Sequence, residues 1–303
     1  MNEDQVRLLC RQVFSREPEK IERGAVGIAN YVYILDFADE KAVLRLSREE
    51  NAYRETLYWL PRLADVGIPV PRVLGNGRFE GFDFIALSYI PGKDLGVVYP
   101  LLSMEEKRQI AKSVARIQKR AALLAPRELA PDWKWESLVR ELLERAEELV
   151  RKNGWFDPEK VRRVSKIADS LRGYFDTIKP VVYLDDITTK NLMIEKGRVS
   201  GVIDVDWIGI GDRLTYAALT KMSLLNMEQD TDYVNYLLEE MQLSPIEEKA
   251  MRFYTLMYCV DFMGERGTTY LDKTVEVNET IINRLNALYE RLMREFEESD
   301  IQR

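Results

Sequence analysis

Leu184-Asp185-Asp186-Ile187-Thr188-Thr189-Lys190-Asn191-Leu192-Met193-Ile194-Glu195-Lys196-Gly197-Arg198-Val199-Ser200-Gly201-Val202-Ile203-Asp204 is the stretch on which the reading of this chain turns. Two apolar runs flank a Lys196-Gly197 turn, the pattern of a β-hairpin. Pairing Glu195 with Arg198 sets Asp204 opposite Thr189 and Asn191 diagonal to Asp204. Diagonal neighbours lie roughly 7–8 Å apart, close enough for an amide oxygen and a carboxylate to share one hard cation. Asp186 precedes Asn191 by five residues and lies on the loop that feeds the hairpin. An acid beside a metal-binding Asn/Asp pair can orient a hydroxyl while a cation neutralises charge, which is the equipment of phosphoryl transfer.

Upstream, Val6, Leu9, Cys10, Val13 and Phe14 recur at helical spacing, and Pro18 closes that segment. The pattern then changes to a glycine loop, Gly24-Ala25-Val26-Gly27-Ile28-Ala29-Asn30, followed by β-rich Tyr31 to Phe37, a turn, and Ala42 to Leu46. A helix is expected over 48–66, stopped by Pro69 and Pro71, with further strands at 72–76 and 82–90. Residues 1–90 thus read as a small lobe of mainly antiparallel sheet with one long helix. Pro91-Gly92 marks a linker, and residues 91–303 read as a larger, mainly helical lobe that carries the hairpin. Its helices are expected from the Ser103/Glu106 capping box onward and at 133–152, 158–176, 213–226, 231–241, 245–263 and 274–298. The fold class is α+β.

Composition removes several alternatives. The chain has 303 residues, enough for about two domains, with 44 basic and 51 acidic side chains and a net charge of −7. That balance argues against a nucleic-acid partner. Without a single histidine the chain cannot run a Ser-His-Asp or Cys-His mechanism or build an HExxH zinc site. Cys10 and Cys259 are too few for a disulfide framework. No apolar run reaches the ~18 residues of a membrane span, and the start lacks the basic region of a signal peptide. A cytoplasmic protein without a membrane partner is expected.

Leu184 to Asn191 is similar to the H-x-D-x-x-x-x-N catalytic loop of the aminoglycoside phosphotransferase family and its protein-kinase relatives, and Lys196 to Asp204 resembles that family's second motif. The likeness extends from about residue 20 to residue 220 and takes in Gly67 to Leu74, the hinge-like Ala86 to Gly92, and Gly211-Asp212. It departs from the family at Leu184, where a histidine usually opens the loop, and at Asp185, usually Gly or Arg.

The resemblance implies a two-lobed, protein-kinase-like fold that moves the γ-phosphoryl of ATP or GTP, with Mg²⁺, to a hydroxyl of a small molecule. By it Asp186 is the catalytic base that orients and deprotonates the hydroxyl, and Asn191 and Asp204 hold the metal. Gly24, Ala25, Gly27 and Asn30 belong to the nucleotide loop, Arg45 is the phosphate-contacting residue, and Glu55 is its helix partner. Ser88, Tyr89 and Ile90 fall at the hinge, where Tyr89 and Ile90 either line an adenine pocket or belong to the core. Asp185 offers a rival base. Asp206 shares a strand face with Asp204 and so could support the metal. A cationic, aminoglycoside-type acceptor is the leading expectation. Glu228, Asp230, Asp232, Glu239, Asp261 and Glu265 are acids that could attract it, although most such residues are solvated helix faces. A small-metabolite kinase acting on a choline, homoserine, macrolide or sugar substrate, a nucleotide-binding pseudokinase and a metal-dependent phosphoester hydrolase stay open as alternatives. Sequence is silent on oligomeric state.

Overall fold

The computed structural model describes residues 2–24, 31–206, 208–270 and 273–301. Helix α1 (Glu3–Phe14) opens behind Asn2, whose side chain exchanges capping hydrogen bonds with Gln5. Strands β1 (Lys20–Arg23), β2 (Tyr31–Asp36) and β3 (Lys41–Ser47) precede α2 (Arg54–Asp65), after which β4 (Val73–Phe79) and β5 (Phe82–Ser88) complete an antiparallel sheet of order β1-β2-β3-β5-β4. Alternation divides β3 between two faces. Ala42, Leu44 and Leu46 bury in a cluster with Val6, Leu9 and Cys10 of α1. Val43 and Arg45 therefore face the other way, toward the side where Ile85 and Leu87 join the main core. That parity sends the Arg45 guanidinium into the space between the lobes.

The helix expected over 48–66 begins only at Arg54. Asn51 adopts a left-handed backbone (φ 60°), and its carbonyl accepts from Arg54 N–H at 3.0 Å, so a turn occupies the start of that segment.

After the linker, β6 (Lys93–Asp94) and α3 (Leu95–Val98) lead to α4 (Met104–Ala121), whose Ser103/Glu106 capping box forms as expected. Next come α5 (Trp135–Asn153), α6 (Glu159–Ser170) and α7 (Arg172–Phe175), then β7 (Val182–Leu184), β8 (Leu192–Glu195), β9 (Arg198–Val202) and β10 (Ile208–Ile210). Helices α8 (Leu214–Asn226), α9 (Asp232–Met241) and α10 (Pro245–Glu265), a small ribbon of β11 (Thr269–Tyr270) and β12 (Lys273–Thr274), and α11 (Glu279–Ile301) finish the chain. The single helix expected over 158–176 is broken at Leu171, which leaves helical backbone as its side chain buries.

Two features of the ribbons differ from the expected pairing. Glu195 does pair with Arg198, but a bulge follows, so Met193 faces Gly201 and Leu192 faces Val202. Ser200 is the extra residue, and its hydroxyl donates to the carbonyls of Pro91 and Met193. The shift places Ile203 N–H on the Asn191 carbonyl at 2.9 Å, so Asp204 follows directly after the residue opposite Asn191 rather than facing Thr189. β10 lies beyond the strands the sequence pattern predicts. It pairs antiparallel with β7, and Tyr183 packs so closely over Gly209 that a Cβ there would fall 2.2 Å from the ring.

One apolar cluster runs from Trp59, Leu60 and Leu63 of α2 through Ile110 and Val114 of α4 to Phe253 and Leu285 of α10 and α11. The lobes thus share a core, with the hairpin beside it. Among the described residues no helix is long and apolar enough to cross a membrane.

Candidate active site

Because β7 and β10 are antiparallel, the residues that leave β7 and those that enter β10 emerge at one end of the ribbon. Asp185 and Asp186 follow the first strand; Asp204 and Asp206 precede the second. Asp186 is exposed, and its carboxylate accepts from the Asn191 amide at 2.8 Å. The same amide reaches the Asp186 carbonyl at 3.2 Å, closing the loop on itself. Asp94 accepts from Asn191 N–H at 2.9 Å, and Gly96 N–H donates to Thr189 at 2.7 Å, which anchors the loop to the linker. Asn191 and Asp204 both take left-handed backbone, φ 63° and 56°, a conformation that Asn and Asp tolerate better than most residues.

From the sheet side comes Arg45, only 7% exposed. Its guanidinium contacts Asp204 at 3.1 Å and Asp206 at 2.5 Å, and its face lies over the Tyr53 ring at 5.5 Å. Thr56 on α2 donates its hydroxyl to Asp206. Burial works against the Arg45 charge, but Asp204 and Asp206 outweigh it and raise its pKa. The protein packed around the Asp186 carboxyl lifts it above the usual range, with Lys190 and Asn191 pulling it back and Asp94 adding to the rise. Asp204 is pushed up to about 6 by the protein around it, against the pull of Arg45 and with the charge of Asp206 in support.

Among the described residues no three His, Cys, Asp or Glu side chains form a closed metal cage. Magnesium is commonly held by one or two carboxylates with the rest of its shell from phosphates and water. The residues present fit that pattern: the Asn191 amide nitrogen is committed to Asp186, which leaves its oxygen to ligate, and Asp204 is a crowded carboxylate in need of positive charge.

Gly24 donates its N–H to Val32 at 2.9 Å and starts the glycine loop; Ala25, Gly27 and Asn30 lie outside the described residues. At the hinge, Ser88 is tied to Arg72 by its N–H and its hydroxyl, both at 2.9 Å. Tyr89 and Ile90 are part-buried. Gly92 follows at φ 120°, where a Cβ would lie 2.6 Å from the Ile194 carbonyl.

The expected ion pair between Arg45 and Glu55 is not formed. Glu55 bonds Arg127 at 2.8 Å, because the neighbouring Thr56 turns inward to Asp206 while Glu55 faces the segment after α4. Leu184 in place of histidine is accommodated by Gln118, whose side-chain amide bonds both the N–H and the C=O of Leu184, at 2.9 and 2.8 Å. A glutamine within the apolar stripe of α4 was the available signal for that brace. Of the acids expected to attract a cation, Glu228, Asp230 and Glu239 pair with Arg284, Lys107 and Arg108, and Asp232 opens α9. Asp261 lies buried on α10, with Arg145 at 3.3 Å from it and 4.0 Å from Glu265.

Known proteins resemble this chain in sequence and fold. The model of the phosphotransferase enzyme family matches residues 20–254. An aminoglycoside 3'-phosphotransferase of Streptomyces fradiae is 27% identical over 241 residues, spanning 75% of this chain and 84% of that protein. Among solved structures, a thermostable form of aminoglycoside phosphotransferase APH(4)-Ia in complex with ADP and hygromycin B superposes with a TM-score of 0.68 at 16% identity, covering 94% of this chain and 98% of that one. ADP-bound aminoglycoside phosphotransferase APH(2'')-Ib gives 0.66 at 15% identity, with 98% and 99% covered. These likenesses place the fold as kinase-like.

Proposed function

The chain belongs to the phosphotransferase enzyme family, and we propose that it moves the γ-phosphoryl group of ATP, or of GTP, to a hydroxyl of a small cationic, aminoglycoside-type acceptor. One observation carries the reading: Asp186 is held by Asn191 at 2.8 Å at the same ribbon end where Arg45 gathers Asp204 and Asp206. The lobe of residues 1–90 receives the nucleotide between the glycine loop, which includes Gly24, Ala25, Gly27 and Asn30, and the hinge Ser88, Tyr89 and Ile90. The lobe of residues 91–303 supplies the acceptor side. Arg45 turns from the aspartates to the phosphates, while Glu55 on α2 stays with Arg127.

Asn191 and Asp204 would hold Mg²⁺, which when bound supplies positive charge against the phosphates. Asp186 orients the acceptor hydroxyl and takes its proton. The hydroxyl oxygen forms its bond to the γ-phosphorus as the bond from that phosphorus to the bridging oxygen breaks, and ADP or GDP leaves with the electron pair. Because the transition state is loose and the proton departs late, position matters more than base strength, so a carboxylate suffices. One feature supports a cationic acceptor: the relative from Streptomyces fradiae bears an aminoglycoside name.

The test is ADP release from Mg·ATP over a panel of aminoglycosides, amino sugars and quaternary-ammonium alcohols, with Asp186→Ala in parallel. Acceptor-dependent release that disappears in the variant is expected. Turnover by Asp186→Ala within a few-fold of wild type would overturn the assignment of the base.

A further inference from the structure

Helix α2 is weakly held by its own backbone where it meets the site. It starts behind Tyr53 without a side-chain cap, and Pro61 in its interior lacks the N–H that would bond the Leu57 carbonyl. The orientation of the turns between these two points therefore depends on what grips them from the side. One face carries Tyr53, whose ring lies 5.5 Å from the Arg45 guanidinium, and Thr56, which donates to Asp206. The adjoining face carries Glu55 and Tyr58, a pair at helical spacing, and both meet Arg127 of the segment between α4 and α5. The Arg127 guanidinium bonds Glu55 at 2.8 Å, lies 4.4 Å over the Tyr58 ring and reaches Glu128 at 3.5 Å, with 17% of its side chain exposed. Past the far end of α2, Arg120 from the last turn of α4 donates to the Gly67 carbonyl.

A guanidinium can bond a carboxylate at its edge and stack on a ring with its face, so one arginine grips Glu55 and Tyr58 together and fixes the rotation of α2. That rotation decides where Tyr53 and Thr56 point, and both meet the Arg45 and Asp206 pair. Arg127 also answers the charge of Glu55, which leaves Arg45 to Asp204 and Asp206. We propose that Arg127 is a positioning residue for the nucleotide: it locks the first turns of α2 and keeps Glu55 occupied, so that Arg45 is aimed and free to pass to the phosphates. The inference rests on the reading of Arg45 as the phosphate contact.

A double-mutant cycle separates positioning from bracing. Affinity for Mg²⁺ with the non-hydrolysable ATP analogue AMP-PNP is measured calorimetrically on the full chain for wild type, Arg127→Ala, Arg45→Lys and the double variant, with melting followed alongside. The Arg127–Glu55 pair is partly open to solvent, so its loss costs little stability. Arg127→Ala is expected to weaken nucleotide binding about fivefold on its own and less than about twofold once Arg45→Lys is present, because the fork it positions is already gone. Arg127→Lys keeps a charge for Glu55 and loses the planar stack on Tyr58; it should weaken binding about two- to threefold, again only with Arg45 intact, and it decides the matter if Arg127→Ala does not fold. Equal factors in both backgrounds, or wild-type affinity in the Arg127 variants whatever their melting, overturns the role of Arg127 and leaves the reading of Arg45 standing. Wild-type affinity in Arg45→Lys overturns Arg45 as the phosphate contact, and absence of binding by wild type overturns the phosphotransferase reading; the proposal falls with either.

Discussion

The two ends of the β7–β10 ribbon each hold aspartates, and they are built on opposite plans. At one end lie Asp185, Asp186, Asp204 and Asp206; a single guanidinium serves Asp204 and Asp206, and Asp186 and Asp204 are exposed. At the other end Asp212, 4% exposed, accepts from Tyr174 at 2.6 Å, Tyr254 at 2.8 Å and Leu214 N–H at 2.9 Å, while Trp135 donates to Tyr254 at 2.7 Å. Burial raises the Asp212 carboxyl, and the three donors pull against that rise. A cavity of about 780 Å³ opens beside Asp212, lined also by Tyr174, Lys179, Arg213 and Glu247. Volume alone would draw attention there. Yet its acid has spent its acceptor capacity on neutral donors, whereas the acids at the other end have crowded charge and an oxygen without a partner. Unsatisfied charge, more than cavity size, distinguishes the end proposed to react from the one that braces the ribbon.

The sharpest way to break the comparison is to delete one acid from each end. Asp186→Ala is expected to lower turnover by about 10²–10⁴-fold, the usual span for losing a positioned acid or base, while thermal stability stays close to wild type. Steady-state ADP release and calorimetric melting read the two quantities. Asp212→Ala should do the reverse. It strands the hydroxyls of Tyr174 and Tyr254 in the core and should cost about 2–4 kcal/mol of stability, with turnover per folded molecule near wild type at low temperature. An Asp212→Ala variant that melts normally but fails to turn over would mean that both ends serve the reaction.

How much of this was legible depends on distance along the chain. The hairpin and the Asp186 to Asn191 loop are local, and their spacing survives folding, so period-two alternation and a five-residue separation were enough. The bulge at Ser200 was hidden because it answers to the Pro91 carbonyl, 109 positions away. Arg45 bonds Asp206 across 161 positions, and no pattern in β3 announces that choice over Glu55, the acid the family register offers. β10 is three residues with a central glycine, too short for periodicity, and depends on Tyr183 covering Gly209. Elements were readable wherever a repeating face decides them. Pairings between charged tips were not, because several partners satisfy the same charge and only the assembled cleft selects one.

A third prediction concerns an acid that belongs to neither plan. Asp261 is buried on α10, facing Glu265 on its own helix, Tyr258 one turn before, and Arg145 from α5. Burial and then Glu265 push its carboxyl up to about 6 against Arg145. The folded state therefore holds this proton more tightly than the unfolded chain, so between about pH 4 and 6 folding takes up a proton. Stability from this group is full below the unfolded value and is lost as pH rises through about 6. Melting followed from pH 4 to 7 should show wild type losing roughly 1–3 kcal/mol relative to Asp261→Asn across that window. Parallel profiles for the two proteins would mean that Arg145 already compensates the charge, and Asp261 would then join Asp212 as a satisfied acid.

The smallest effect is expected at Arg45, where the two plans meet. The guanidinium uses separate nitrogens for Asp204 and Asp206, a fork that lysine cannot reproduce with one ammonium. If the cleft end is held by charge that must be released to a nucleotide, Arg45→Lys keeps the charge and loses only geometry. Stability should then change by less than about 1 kcal/mol, and the KM for Mg·ATP should rise about five- to tenfold with kcat little altered. A bracing role would give a different signature. Thr56 and Asp206 would lose their anchor between α2 and the ribbon, melting would drop by several degrees, and KM would stay where it was. Measuring both quantities on one variant decides whether Arg45 belongs with the unsatisfied acids it touches or, like the tyrosines around Asp212, with the scaffold that holds the ribbon in place.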